Sequence, residues 1–339
     1  MNKKSKILVI ISFINFLLLV GCSKKDESTS KIFPIERHLD AQIVPFNYII
    51  DRGDFIIIDD FIVFSSSKTD TLIHIFSLPN INHIESFGIV GQGPGEFQNS
   101  TSRTIIRSNY NMLCLSGFNS SGLLIKCFDI DKQSNKISLV KDYPLDDITT
   151  WQKKNYHIIN DSILFYYELL PYKLQLVSYN LQQKNASIKE MKVTETHELA
   201  WAYHNSGSLK VNSDAMVYMY LYQDRVMFMD HDFSEKSIII GGNKNYNIDI
   251  HDHDNIIYHY IGGRAGKTKF YLFYLGCSFS DYYKGKRKKS IEVFDNKGNP
   301  LIKYYLNNHI YDFVVDEKRN KIYAFGEDDD SLLVFDLDE

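Results

Sequence analysis

The segment Leu72-Ile73-His74-Ile75-Phe76-Ser77 sets apolar residues in alternation, places an aromatic near the end and then hands over to a polar residue. Side chains of a β-strand alternate between two faces, so this pattern predicts a strand running into a turn. It returns at Leu124–Asp129 (LIKCFD), Leu174–Asn180 (LQLVSYN), Arg225–Asp230 (RVMFMD), Ile291–Asp295 (IEVFD) and Leu332–Asp336 (LLVFD). The aromatics Phe76, Phe128, Tyr179, Phe228, Phe294 and Phe335 are separated by 52, 51, 49, 66 and 41 residues. Self-similarity near this period marks a chain of repeated units. The long interval is expected to hold two extra loops, 262–267 (GGRAGK) and 284–289 (KGKRKK).

Each unit has the same surroundings. Another strand-like run precedes the aromatic, as in Phe55–Phe64, Met112–Leu115, Ser162–Tyr167, Ala215–Tyr220, Phe270–Leu275 and Lys321–Phe325. A polar turn and a further short strand follow it, as in Ile84–Phe87, Ile137–Val140, Ile188–Val193, Ser237–Ile240 and Leu301–Leu306. Aromatics at 14% with only 7 prolines favour strands throughout, and no helix of three turns is predicted. Six units of four strands predict an all-β fold, a six-bladed β-propeller over residues 32–339. The last unit stops after its third strand. A strand-like segment within Lys31–Phe46 has no other assignment. It is expected to supply the missing outer strand and close the ring, since an open edge exposes unpaired backbone. Two β-sandwiches are the competing arrangement, but no Pro/Gly/Ser-rich linker divides the chain.

Phe87–Phe97 reads FGIVGQGPGEF, which resembles the F-G-x-x-G-x-G-P-G-E-F turn of the TolB-like six-bladed propeller lipoproteins of Bacteroidetes. The blade IVFSSSKTDTLIHIFSLPN and the ending YDFVVDEKRNKIYAFGEDDDSLLVFDLD are similar to the same family and to its NHL-repeat relatives. The resemblance implies a fold and a location in the cell envelope, and no settled activity. Gly88, Gly91, Gly93 and Gly95 are read as a structural turn in which glycine relieves φ, with Glu96 and Phe97 locking it.

The N-terminus predicts an exported protein. Lys3, Lys4 and Lys6 precede the apolar run Ile7–Val20, which is short for a membrane span, and Leu19-Val20-Gly21-Cys22 resembles a bacterial lipobox. Residues 1–21 are therefore expected to be a signal peptide, Cys22 the lipidated residue and 22–31 a flexible tether. Lys25-Asp26-Glu27 resembles the export signal of Bacteroidetes surface lipoproteins, so the outer membrane is expected, with either surface or periplasmic facing. Loss of the leader's three lysines takes the formal charge from −4 to −7, which argues against a nucleic-acid partner. Cys114, Cys127 and Cys277 form no C-x-x-C pair. Export permits a disulfide between Cys114 and Cys127 if their strands are neighbours, although two buried thiols are the expectation.

Motifs for chemistry are few. Gly266-Lys267-Thr268 lacks the upstream glycine of a phosphate loop, and strand follows it. His251-Asp252-His253-Asp254 and Asp230-His231-Asp232 could ligate a metal, yet read as solvated turns, so no metal and no cofactor are expected. The basic run 284–289 reads as a solvated loop. No inner-strand carboxylate is seen to recur from unit to unit, and neither G-x-S-x-G nor H-E-x-x-H occurs. Trp151, Trp201, Tyr203 and His204 open the middle blades and are candidates for a binding rim around the channel. The expected protein is a monomeric, membrane-anchored binding module for a protein or glycan. A channel-centred hydrolase or lyase and a structural subunit of an outer-membrane complex are the alternatives. Carboxylates converging on the channel with an amide would favour the enzyme.

Overall fold

The computed structural model describes residues 28–29, 31–46, 54–66, 69, 71–89, 91, 96, 104–107, 112–118, 122–131, 136–145, 153–160, 162–170, 173–191, 205–241, 252–285, 289–326 and 331–337. Three short strands come first: β1 (Ser28–Thr29), β2 (Ile35–Leu39) and β3 (Gln42–Pro45). Blade 1 is then β4 (Phe55–Ile58), β5 (Phe61–Ser65), β6 (Thr71–Ser77) and β7 (Asn82–Ile89). Blade 2 is β8 (Thr104–Arg107), β9 (Met112–Phe118), β10 (Leu123–Ile130) and β11 (Ile137–Leu145). Blade 3 is β12 (Lys153–Ile159), β13 (Ile163–Leu170), β14 (Lys173–Asn180) and β15 (Asn185–Met191). Blade 4 is β16 (Gly207–Val211), β17 (Met216–Tyr220), β18 (Arg225–Met229) and β19 (Glu235–Ile240). Blade 5 is β20 (Tyr258–Ala265), β21 (Lys269–Cys277), β22 (Ser290–Asp295) and β23 (Pro300–Leu306). Blade 6 is β24 (Asp312–Asp316), β25 (Lys321–Phe325), β26 (Ser331–Asp336) and, from the head of the chain, β3.

The ring closes as expected. β3 pairs antiparallel with β26, Val44 facing Leu332 and Ile43 facing Leu333. The innermost strands β4, β8, β12, β16, β20 and β24 each adjoin the next and the last adjoins the first, so they surround a central channel. The head of the chain does more than close the ring. β1 lies parallel to β19 with Ser28 beside Ile238, and β2 lies parallel to β23 with Ile35 beside Ile302. Part of the stretch read as tether is therefore strand. Residues 28–29 and 31–46 form a strap across the outer edges of blades 4, 5 and 6.

The six aromatics that announced the repeat all sit on third strands and are buried. In four blades the register with the fourth strand shifts at that residue: at Ile75/Phe76, Cys127/Phe128, Phe228/Met229 and Val293/Phe294. A bulge increases local twist, which turns the outer strand away while the large ring stays inside. The polar residue next in sequence caps the turn. Asp295 Oδ1 accepts from the backbone N–H of Lys297 and Asn299, both at 2.8 Å, and Asn180 Oδ1 accepts from Gln182 at 3.0 Å and Gln183 at 2.9 Å. Apolar clusters fill the spaces between neighbouring blades. One example joins Phe76 and Phe64 of blade 1 to Tyr323 and Phe325 of blade 6.

Three expectations need correction. Cys114 and Cys127 form a disulfide: they face each other across β9 and β10, with Cα atoms 4.0 Å apart. Spacing alone does not show this, because it depends on the register of the hairpin. Residues 262–265 of the supposed loop lie within inner strand β20. A Cβ on Gly263 would stand 2.9 Å from Met219 Cε and 3.0 Å from Tyr271 O, so the glycine serves close strand packing. Lys289, at the end of the basic run, is buried: its ammonium donates to Ile310 O at 2.6 Å and lies 4.2 Å from the centre of the Tyr282 ring. The added length of blade 5 includes a short helix, α1 (Phe279–Tyr283), capped by Ser278, which accepts from Asp281 N–H. Cys277 is buried and takes no part in the disulfide.

The disulfide spans a sequence separation of 13. Replacing both cysteines with alanine is expected to cost about 3 kcal/mol, seen as a lower urea midpoint. Reductant should bring the native protein to the same midpoint and leave the variant unchanged.

Candidate functional site

The channel wall carries the most unusual charged group of the described residues. Lys210 stands on inner strand β16, enclosed by protein while part of its surface stays open. Among the described residues its ammonium has no hydrogen-bond or ion-pair partner. Burial pulls its pKa down to about 8, the Arg264 guanidinium pushes the same way, and the Asp312 and Asp54 carboxylates oppose both. At neutral pH this amine is mainly a cation with an unfilled donor set.

Its neighbours come from the adjoining inner strands. Arg264, near the end of β20, holds Asp312, the first residue of β24, with Nη2 2.5 Å from Oδ2. The other guanidinium arm donates to Gly263 O at 3.0 Å. Asp312 Oδ1 accepts from the N–H of Phe313 at 2.8 Å. The guanidinium lies 5.9 Å from the ring centres of Phe55 and Phe313. Asp54 directly precedes β4. Blade 3 steadies the strand that bears Lys210: Asn155 Oδ1 accepts from Ser208 Oγ and, at 3.0 Å, from Leu209 N, and Tyr167 OH donates to Gly207 O at 2.6 Å. His157 Nε2 lies 2.9 Å from Leu209 O, which fixes Nε2 as the protonated nitrogen.

The channel therefore does bring two carboxylates, Asp312 and Asp54, toward one amine, but in a compensated form. Asp312 is engaged by a guanidinium, and the Asn155 amide oxygen is taken by blade 4. Among the described residues no three His, Cys, Asp or Glu gather closely enough to hold a metal ion. An inner-strand carboxylate does recur, contrary to the sequence reading: Asp54-Phe55 and Asp312-Phe313 open the first strands of neighbouring blades 1 and 6. The signal was a D-F dipeptide followed by two β-branched residues. It spans only two blades and so escapes a search for a six-fold pattern.

The residues singled out in the sequence fall elsewhere. Cys22, Trp151, Trp201, Tyr203, His204, Gly93, Gly95 and Phe97 lie outside the described residues. Gly88 has a φ of 78°, a value that glycine adopts without strain. A Cβ on Gly91 would stand 2.1 Å from Glu96 Oε2, so the glycine makes room for that carboxylate. Glu96 O accepts from the ammonium of buried Lys126 at 2.8 Å.

A second polar cluster ties the strap down. Lys31 Nζ lies 2.9 Å from Asp224 Oδ1 and 2.9 Å from Glu292 Oε2, and 3.4 Å from the centre of the Tyr274 ring. Tyr260 OH donates to Glu292 Oε2 at 3.0 Å, Tyr274 OH to Asp224 Oδ2 at 3.2 Å, and Lys303 Nζ is 3.1 Å from Glu292 Oε1. His259 beside this cluster is buried, and that burial lowers its pKa.

With the six sheets and the channel described, comparison with known proteins gives a direct result. The sequence profile of the family described as TolB-like 6-blade propeller-like matches residues 44–318. The chain belongs to that family. Among solved structures, this TolB-like propeller is similar to an exported protein from Bacteroides fragilis, at 11% identity and a TM-score of 0.54, covering 92% of this chain and 100% of that one. It is also similar to a gluconolactonase from Xanthomonas campestris, at 7% identity and a TM-score of 0.49, covering 88% and 90%. At these identities the likeness is one of fold. No curated protein is significantly similar in sequence to this TolB-like propeller. No helix among its described residues is long and apolar enough to cross a membrane.

Proposed function

We propose that this protein is an outer-membrane lipoprotein, anchored through lipid on Cys22, whose propeller binds an acidic glycan or the acidic end of a protein partner at the central channel. The anchoring part rests on the leader and on Leu19-Val20-Gly21-Cys22. The binding part rests on one observation: among the described residues the Lys210 ammonium has no hydrogen-bond or ion-pair partner in the channel wall. An ammonium partly shut off from water and without a partner is costly, and a ligand anion relieves that cost. Binding is favoured over metal-assisted hydrolysis because the Asp312 carboxylate is already held by Arg264.

The test uses the mature full-length protein in detergent on arrays of acidic glycans and of peptides with acidic termini. Lys210→Met is expected to weaken binding at least tenfold. Affinity should fall as pH rises through about 8, where Lys210 loses its proton, and Lys210→Arg should bind without that fall. Unchanged binding by Lys210→Met, or conversion of the ligand by the native protein, overturns the reading.

A further inference from the structure

We infer that the rim of blades 4 to 6 is the surface that lies on the lipid bilayer, so the anchored ring stands edge-on to the membrane. The inference rests on the reading of Cys22 as the lipidated residue. Six residues lead from Cys22 to Ser28, and a fully extended chain of that length reaches about 20 Å. Ser28 and Thr29 are paired with Ile238 and Ile239 at the outer edge of blade 4, and Lys31 is fixed between Asp224 and Glu292. The bilayer surface is thus within a short reach of this edge and cannot move to the far side of the ring.

The strap exposes three isoleucines, interspersed with the exposed polar residues Glu36, His38, Asp40 and Gln42. Ile32, Ile35 and Ile43 are 72%, 42% and 65% exposed. These are three of the ten large apolar side chains exposed among the described residues, gathered within a stretch of 12 residues. Isoleucines exposed singly around a surface need no explanation; three on the one segment next to the lipidated residue do. A leaflet already held within reach is the occupant that buries them, as apolar side chains enter the boundary between headgroups and acyl chains. Edge-on placement leaves both mouths of the channel open sideways, so the ligand reaches Lys210 without passing the membrane.

The test takes the lipidated full chain on vesicles of phosphatidylethanolamine and phosphatidylglycerol. A fluorophore is attached at Ile32→Cys, Ile35→Cys or Ile43→Cys, or at Leu139→Cys or Ile188→Cys on the outer strands of blades 2 and 3. The native background is favourable, because Cys277 is buried and Cys114 is bonded to Cys127. Brominated lipids are expected to quench the strap positions at least threefold more than positions 139 and 188. Even quenching, or stronger quenching at 139 and 188, by a chain that floats with the vesicles overturns the orientation alone. A chain that does not float, or whose N-terminal peptide lacks a diacylglyceryl group, overturns the anchoring and the orientation together.

Discussion

A chain that begins at residue 47 is expected to yield no stable monomer, whereas one that begins at Ser28 should fold as the native protein does. Truncation removes β3 and leaves β26 as an open edge, where Leu332, Leu333 and Val334 keep their β25 partners but lose those on β3. It also removes Phe33, Leu39 and Phe46, all buried. Phe46 packs against Phe76 and Phe64 at ring separations of 4.9 and 5.2 Å, within the cluster that joins blade 6 to blade 1. Burying each such side chain contributes about 1.5–3 kcal/mol, and the three together rival the roughly 5–15 kcal/mol that holds a folded domain. Size-exclusion chromatography and circular dichroism decide the matter. A monomer starting at residue 47 that melts cooperatively near the native temperature would show that the ring holds without its strap.

Lys31→Met is expected to cost about 3–5 kcal/mol although it changes one residue in a segment that reads as linker. The substitution leaves Asp224 and the fully buried Glu292 with Lys303 and two tyrosine hydroxyls as their side-chain partners among the described residues, with His259 nearby. Most of the loss comes from the carboxylate left without its cation, not from the worth of the pair itself. Adding Glu292→Gln to Lys31→Met should therefore recover part of the stability, although Glu292→Gln alone also destabilises. Chemical denaturation of the two single variants and the double variant forms the cycle that measures this coupling. A cost below about 1 kcal/mol for Lys31→Met would place Lys31 among weak surface ion pairs.

The blades were legible because each carries its own local punctuation. A buried aromatic at a bulge and a carboxylate or amide at the next turn are both determined within one hairpin, as Phe294 and Asp295 show. Closure was legible because the last unit came up one strand short. The strap's other strands were not, since β1 and β2 pair in parallel with distant strands and no hairpin turn announces them. Lys31 reads as the end of a flexible tether because its partner Asp224 lies 193 residues away. The channel group was hidden for a related reason. Lys210, Arg264, Asp312 and Asp54 come from four separate strands or strand starts, and none is unusual in its own stretch of sequence. The family turn pointed to Gly91 and Glu96, which the structure brings into contact, but gave no hint of the amine in the channel.

Pairing Val44 with Leu332 joins two positions 288 residues apart (332 − 44). Blades 1 to 5 can form as they emerge, each from neighbouring residues, but the sixth sheet must wait for Ser331–Asp336. Contacts between distant positions form slowly, because the entropy of bringing the ends together is lost before any bond rewards it. Until the final hairpin arrives, Gln42–Pro45 is a bare strand seeking an edge and can pair with a neighbouring molecule's sheet. Protection of this short segment during biogenesis therefore governs how much protein reaches its closed form.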